Sequence, residues 1–190
     1  MLASITPLGE RGRRSRWGIT VNAFLVGATV AGAGAGAVLG ALGSTVLPAH
    51  TTLAVLAGAI AVAAVLDALP RAVPGQRRQV DERWLDRYRG WVYGAGYGAQ
   101  LGLGVTTIVS SAATYVALLA AFLTARPGSG ALILGCYGAV RGLTPLAAAG
   151  VRSQRQLLDF HRALTRWQAW ARWGAVAAQA GMLVLALALS

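Results

Sequence analysis

The polar positions of this chain are gathered into three short arginine-bearing segments, and nearly everything between them is apolar. A bilayer core needs about 20 apolar residues of helix, within a range of ~17–25. By that measure the first span runs from roughly Ile19 to Leu42 and holds no ionisable group. Ser44 to His50 reads as a short turn around the helix-breaking Pro48. The second span runs from Thr51 to Leu69, with Asp67 close to its end, and is closed by Pro70 and Pro74-Gly75. A polar linker, residues 70–90, leads to an uncharged stretch from Trp91 to Ala125 that ends at Arg126-Pro127-Gly128. The fourth span, Gly130 to Gly150, is interrupted by one charge, Arg141. A second basic segment, residues 151–172, precedes the fifth span, Trp173 to Leu189. The pattern predicts an all-α fold: a polytopic transmembrane bundle of five spans over residues 19–190, preceded by a basic segment, 1–18.

The 35 residues from Trp91 to Ala125 would make a helix of roughly 52 Å at 1.5 Å per residue. That is too long for one straight crossing and too short for two. The distribution of arginine decides the count, because cytoplasmic loops carry the excess of basic residues. With one crossing, the segments Arg11–Arg16, Arg71–Arg89 and Arg152–Arg172 share the cytoplasmic side and hold four, six and five Arg. Only Arg126 lies outside and Arg141 within. A second crossing would move the last five to the far side. The expected topology therefore has the N-terminus inside and the C-terminus outside a bacterial cytoplasmic membrane. The surplus length requires a break in the third span. The hydroxyl cluster Thr106, Thr107, Ser110, Ser111 and Thr114 is the expected place, since such groups satisfy freed backbone inside a membrane.

Arg11–Arg16 followed by apolar sequence resembles a signal peptide, but the run exceeds a 7–15-residue h-region, so the first span is expected to stay uncleaved. All six Trp (Trp17, Trp84, Trp91, Trp167, Trp170, Trp173) fall at expected cytoplasmic interfaces. Leu157, Leu158, Phe160, Leu164, Trp167 and Ala171 have helical spacing with Arg on other faces. That segment reads either as an amphipathic helix on the anionic inner leaflet or as a helical linker into the fifth span.

Small residues recur every four positions: Gly32, Gly36 and Gly40 in the first span, Gly94, Gly98 and Gly102 in the third, Gly138 and Gly142 in the fourth. In lipid, close approach of backbones through glycine is the main packing device, so these faces are expected to be helix–helix contacts. Arg141 is expected to face the bundle or a wet cavity, because a lone intramembrane Arg costs roughly 2.5–3.5 kcal/mol on insertion scales. Its alternative role is structural, paired with Asp67 or with helix-end carbonyls. Pro145 removes the hydrogen bond to the Arg141 carbonyl and should kink the helix there. Gln100, Asn22 and Gln179 read as interhelical glue, and Cys136 as a small buried residue.

Composition narrows the function classes. Charged residues make up 12% and hydrophobic ones 56% of the chain, with a mean hydropathy of +0.57, against ~25% charged in ordinary globular domains. A cytosolic enzyme and a disordered tail are thereby excluded. The net charge of +11 belongs to the membrane topology and implies no nucleic-acid partner. One cysteine forms no internal disulfide and no Cys-pair metal or redox motif. His50 and His161 fall in opposite loops and cannot share a metal. No Ser-His-Asp set, paired carboxylates or phosphate loop occurs. Gly94-x-Gly96-x-Gly98 lacks the preceding strand that a dinucleotide fingerprint needs. No enzyme activity, cofactor or metal is expected.

Gly102-Leu103-Gly104-Val105-Thr106-Thr107-Ile108, followed by a small-residue helix, resembles the fourth helix of the cytochrome c biogenesis and disulfide-reductase transmembrane family (CcdA/DsbD-like). Gly142-Leu143-Thr144-Pro145-Leu146 resembles a motif of that family's fifth helix. The resemblance covers most of the chain and implies a shared helix order. It also implies two intramembrane redox cysteines, which are absent: Ile108 stands at one position, Thr107 replaces the preceding Pro, and the first helix is missing. A thiol relay through a cysteine pair within one chain is impossible. The resemblance thus implies a fold without its activity.

The leading functional expectation is binding or movement of a small solute at mid-membrane, where discontinuous helices usually house transport sites. Gln100, Thr106, Thr107, Ser110 and Ser111 would supply ligands, and Arg141 would favour an anion. The rival is a non-catalytic membrane subunit or assembly factor, or a homo-oligomer, whose glycine faces bind a partner membrane protein. A third reading is an intermolecular electron relay through Cys136. Polar residues around a wet cavity would favour transport; a glycine-rich groove open to lipid would favour assembly.

Overall fold

A computed structural model describes residues 5–47, 52–69, 83–104 and 111–188, and all their regular structure is helical. The helices are α1 (Pro7–Gly12), α2 (Trp17–Val46), α3 (Thr52–Ala68), α4 (Arg83–Arg87), α5 (Gly90–Gly102), α6 (Ala113–Leu123), α7 (Pro127–Gly142) and α8 (Gln154–Ala188), with a 3-10 turn over Thr144–Ala148. Trp17–Val46 and Pro127–Ala148 are long and apolar enough to cross a membrane; α3 and α6 are apolar but shorter. Only 22% and 33% of the two long apolar windows are buried, whereas a core helix of a soluble protein would be mostly covered. Val30, Leu132 and Val140 stand 65%, 70% and 68% exposed. Outward-facing apolar surface on this scale suggests a membrane protein.

Helix α2 is the axis of the bundle, and its small residues explain why. Thr20, Phe24, Ala28, Gly32, Gly36 and Gly40 form one buried stripe at four-residue spacing, the row that a helix presents to a neighbour. A Cβ added at Gly94, Gly98 or Gly102 would collide with the carbonyl oxygen of Thr20, Phe24 or Ala28, so α5 runs parallel to α2. A Cβ at Gly32, Gly36 or Gly40 would strike the carbonyl of Leu134, Gly130 or Arg126, and one at Gly138 that of Ala28, so α7 runs antiparallel. Gly142 lies against Leu25. All eight glycines of the sequence pattern thus sit in contacts within the chain. Ala28, fully buried, is the point where α5 and α7 both cross α2.

The stretch from Trp91 to Ala125 forms two helices, of 13 and 11 residues. Helix α5 ends at Gly102, and Gly104 follows with φ +78°, a left-handed conformation that favours glycine. Residues 105–110 lie outside the described segments, and α6 resumes at Ala113. Further on, a Cβ at Gly43 would meet the carbonyl of Phe122, so α6 continues along α2 in the direction of α5.

Helix α8 is continuous over 35 residues, so the second basic segment and the fifth apolar segment are a single rod. That is the geometry of the helical linker, not of a separate surface helix. Trp167, Trp170 and Trp173 are exposed along it. Helix α8 packs chiefly on α3, which also touches α6. Ile60 and Ala63 meet Ala112 and Val116, with Leu56 and Leu183 alongside.

The N-terminal basic segment is packed, which the charge pattern did not foretell. Thr6 caps α1 by accepting from the Gly9 amide (3.0 Å), with Pro7 at the first helical position, where its missing N–H costs nothing. Ile5 joins Val21, Phe24, Leu85, Tyr93 and Tyr97 in a buried cluster flanked by Trp17 and Trp84. Trp17 donates to the Ile5 carbonyl (3.4 Å), and Trp84 stacks on Tyr97. These two tryptophans are therefore partly buried packing residues, not rings lying free at an interface.

Candidate functional site

The break between α5 and α6 is bordered by polar side chains from four helices. On one side lies Asp67, in the last turn of α3, buried. Its carboxylate accepts from the Ala112 amide (2.8 Å), the Ser111 hydroxyl (2.7 Å) and the Gln179 amide nitrogen (2.8 Å). Ser111 also accepts from the Ala113 amide (3.1 Å). Asp67 thus caps α6 from another helix, satisfying amides that the break leaves without intrahelical partners and gaining from the positive end of the helix dipole. Gln179 is buried on α8, and its Oε1 has no hydrogen-bond partner among the described residues.

On the other side, Arg141 donates from Nη1 to the Tyr137 hydroxyl (2.9 Å) and lies over that ring. The Tyr137 hydroxyl is 2.6 Å from that of Thr114 on α6. Arg141 is partly buried in the last turn of α7, where a cation suits the negative end of the dipole. Its polar contact is therefore a hydroxyl relay between α7 and α6, and Asp67 has other partners. The kink expected at Pro145 is instead a helix end: α7 stops at Gly142, and the chain tightens into the 3-10 turn. The Thr144 hydroxyl donates to the Arg141 carbonyl (2.8 Å), replacing the bond that Pro145 cannot make.

Of the expected solute ligands, Ser111 borders the break and Gln100 lies half-buried on α5; Thr106, Thr107 and Ser110 fall outside the described residues. Asn22 bonds the Gly18 carbonyl of its own helix (2.8 Å) and is exposed, so it ties no helices together. Cys136 is exposed, not buried. It borders a shallow groove of about 370 Å³ shared with Thr29, Ala33 and Gly135. A larger groove, about 760 Å³, opens beside the break and is lined by Gly34, Ala35, Val38, Leu103, Leu118 and Phe122, among others. Its walls are apolar.

A second polar centre, unanticipated from the sequence, surrounds Glu10. This fully buried carboxylate accepts from the Thr20 hydroxyl (2.8 Å), the Tyr93 hydroxyl and the Arg13 guanidinium (3.1 Å). Partial burial draws the Arg13 guanidinium down, yet the bond to Glu10 and the neighbouring Tyr93 hold it above the usual arginine range. The α1 amide of Leu8 also bonds the Val151 carbonyl (3.2 Å), so the segment bridges α2, α5 and the end of the 3-10 turn. The only sequence signal was a lone acid among four arginines beside a Thr-Pro helix start. Comparison of the chain with family models, with curated proteins and with solved structures gives no match.

Proposed function

We propose that the chain is a five-span protein of a bacterial cytoplasmic membrane, N-terminus inside and C-terminus outside, that binds or moves a small anionic solute at the break in its third span. Support for the topology comes from helix direction: α5 and α6 follow α2, α7 opposes it, and the last turn of α3 meets the start of α6. The observation that carries the solute reading is the Thr114–Tyr137–Arg141 relay at a broken helix. One guanidinium donor is spent on Tyr137, and the group carries five. Gln100, Thr106, Thr107, Ser110 and Ser111 would complete the ligand set. The chain would then be a redox-inactive relative of the cytochrome c biogenesis family.

The rival reading, a subunit or assembly factor, is favoured by the apolar groove beside the break. Its partner would seat there, since the eight patterned glycines are occupied within the chain. Purification in mild detergent, with mass spectrometry of bound small molecules and proteins, separates the two. A bound anion lost in Arg141→Ala, with insertion retained, is the expected result. A stoichiometric partner protein with no small molecule would overturn the solute reading. Reporters placed after Ser190 and near Gly75 should lie outside and inside, respectively; a cytoplasmic C-terminus would overturn the five-span count.

A further inference from the structure

Asp67 and Gln179 together have more acceptor capacity than their neighbours use. A carboxylate offers about four lone-pair positions. Ala112 occupies one on Oδ1, and Ser111 and Gln179 occupy two on Oδ2. Among the described residues one on Oδ1 is left, and Oε1 of Gln179, on a residue only 1% exposed, has no donor. The amide cannot be turned round to cure this, because its nitrogen must face the carboxylate. What is missing is therefore a donor, such as a water, or a cation.

The charge balance selects the cation. Asp67 is 6% exposed and has no ion pair among the described residues, and its three donors are neutral. It lies in the last turn of α3, whose terminal carbonyls form a negative helix end. The α6 N-terminus opposes that field with about half a positive charge, less than the full charge of the carboxylate. Carboxylate, amide carbonyl and hydroxyl are all oxygen donors, which suit a hard ion. With one carboxylate, a single positive charge neutralises the site, whereas a divalent ion would leave a net charge buried. Gln179 lies six residues beyond Trp173 along α8, roughly 9 Å at 1.5 Å per residue, so the site is within the apolar layer but near its cytoplasmic edge. Unwound backbone and half-helix C-terminal ends are what transporters use to coordinate coupling ions.

We propose that Asp67, Gln179 and Ser111 form a binding site for a small monovalent cation of the sodium class, at the meeting of the α3 C-terminus and the α6 N-terminus. The site shares the broken span with the solute reading but not its arginine, so the two can fail separately.

The test is thermal unfolding of the whole protein in nanodiscs, in sodium chloride against choline chloride at equal ionic strength. Sodium at about one hundred times its Kd should raise the midpoint by about 5 °C or more. Asp67→Asn and Gln179→Met, which keep volume, should each abolish the difference between salts, while Arg141→Ala should keep it. Equal midpoints for the wild type in the two salts would overturn the proposal, whether water fills the gap or Asp67 is only a cap. So would a sodium effect that persists in Gln179→Met, or a midpoint that follows pH and ignores the cation. Should Asp67→Asn fail to fold, hydrogen exchange at the first turn of α6 in the wild type reads the same point: sodium should slow it and choline should not.

Discussion

Replacing Glu10 should release the N-terminal segment without unfolding the bundle. The buried carboxylate holds three donors, from Arg13 on its own segment, Thr20 on α2 and Tyr93 on α5. Hydrogen bonds to a charged group contribute about 1.5–3 kcal/mol each, and removing one partner of a buried charged set costs about 3–5 kcal/mol. Glu10→Ala deletes all three bonds and leaves two hydroxyls facing a void, so about 3–5 kcal/mol of local stability should go. Glu10→Gln keeps one acceptor oxygen but aims an N–H at a donor, and should lose about 2–4 kcal/mol on the same bond values. Three kcal/mol is a factor of roughly 100 in an opening equilibrium. Arg11, Arg13, Arg14 and Arg16 make the segment a substrate for trypsin once it leaves the bundle. Cleavage that requires opening follows the open population, so the rate at these sites in nanodiscs should rise by about two orders of magnitude in Glu10→Ala. Cleavage in the exposed half of α8 serves as the internal standard. A change below about threefold, with the α8 rate unaltered, would show that the Glu10 bonds do not hold the segment down.

Gly36→Leu and Gly98→Leu should each force α2 away from a neighbour and lose at least the ~1–3 kcal/mol typical of overpacking, read as lower folded yield and midpoint, whereas Gly58→Leu, which meets nothing within 4 Å, should be tolerated. Thr144→Val should cost about 1 kcal/mol by leaving the Arg141 carbonyl uncapped, measurable as a lower midpoint with topology intact. Cys136→Ala should change stability by less than about 0.5 kcal/mol, and Cys136 should react with a lipid-soluble thiol reagent in the folded protein; loss of function together with a trapped mixed disulfide would revive the electron-relay reading.

The parts of this fold legible in the sequence were those encoded at short range. Four-residue glycine spacing names a helix face directly, and the contacts of Gly32, Gly36, Gly94 and Gly98 lie on those faces. The surplus length of the third span demanded a break, and a glycine with positive φ opens it. The alternation of Arg segments could not say that α8 is one rod, because helical linker and surface helix share the same periodicity. Asp67 was out of reach for another reason. Its partners are 44 to 112 residues away, and nothing in the apolar run around it names them. Glu10 illustrates the same limit: a six-residue helix has no stability of its own, so its position follows from Thr20 and Tyr93.

The crossing at Ala28 has a consequence in time. Gly32 finds its partner Leu134 about one hundred residues later in the chain, and Phe24 finds Gly98 about seventy later. At roughly 5–20 residues per second, α2 waits on the order of 5–20 s after its own synthesis before α7 arrives. Throughout that interval the Gly32, Gly36 and Gly40 part of its stripe is without its partner and open to any passing helix with a similar groove. The surface that makes the finished bundle tight is therefore also its most vulnerable one during biogenesis. Slowing translation between α2 and α7 should lower the yield of folded protein more than slowing it after α7.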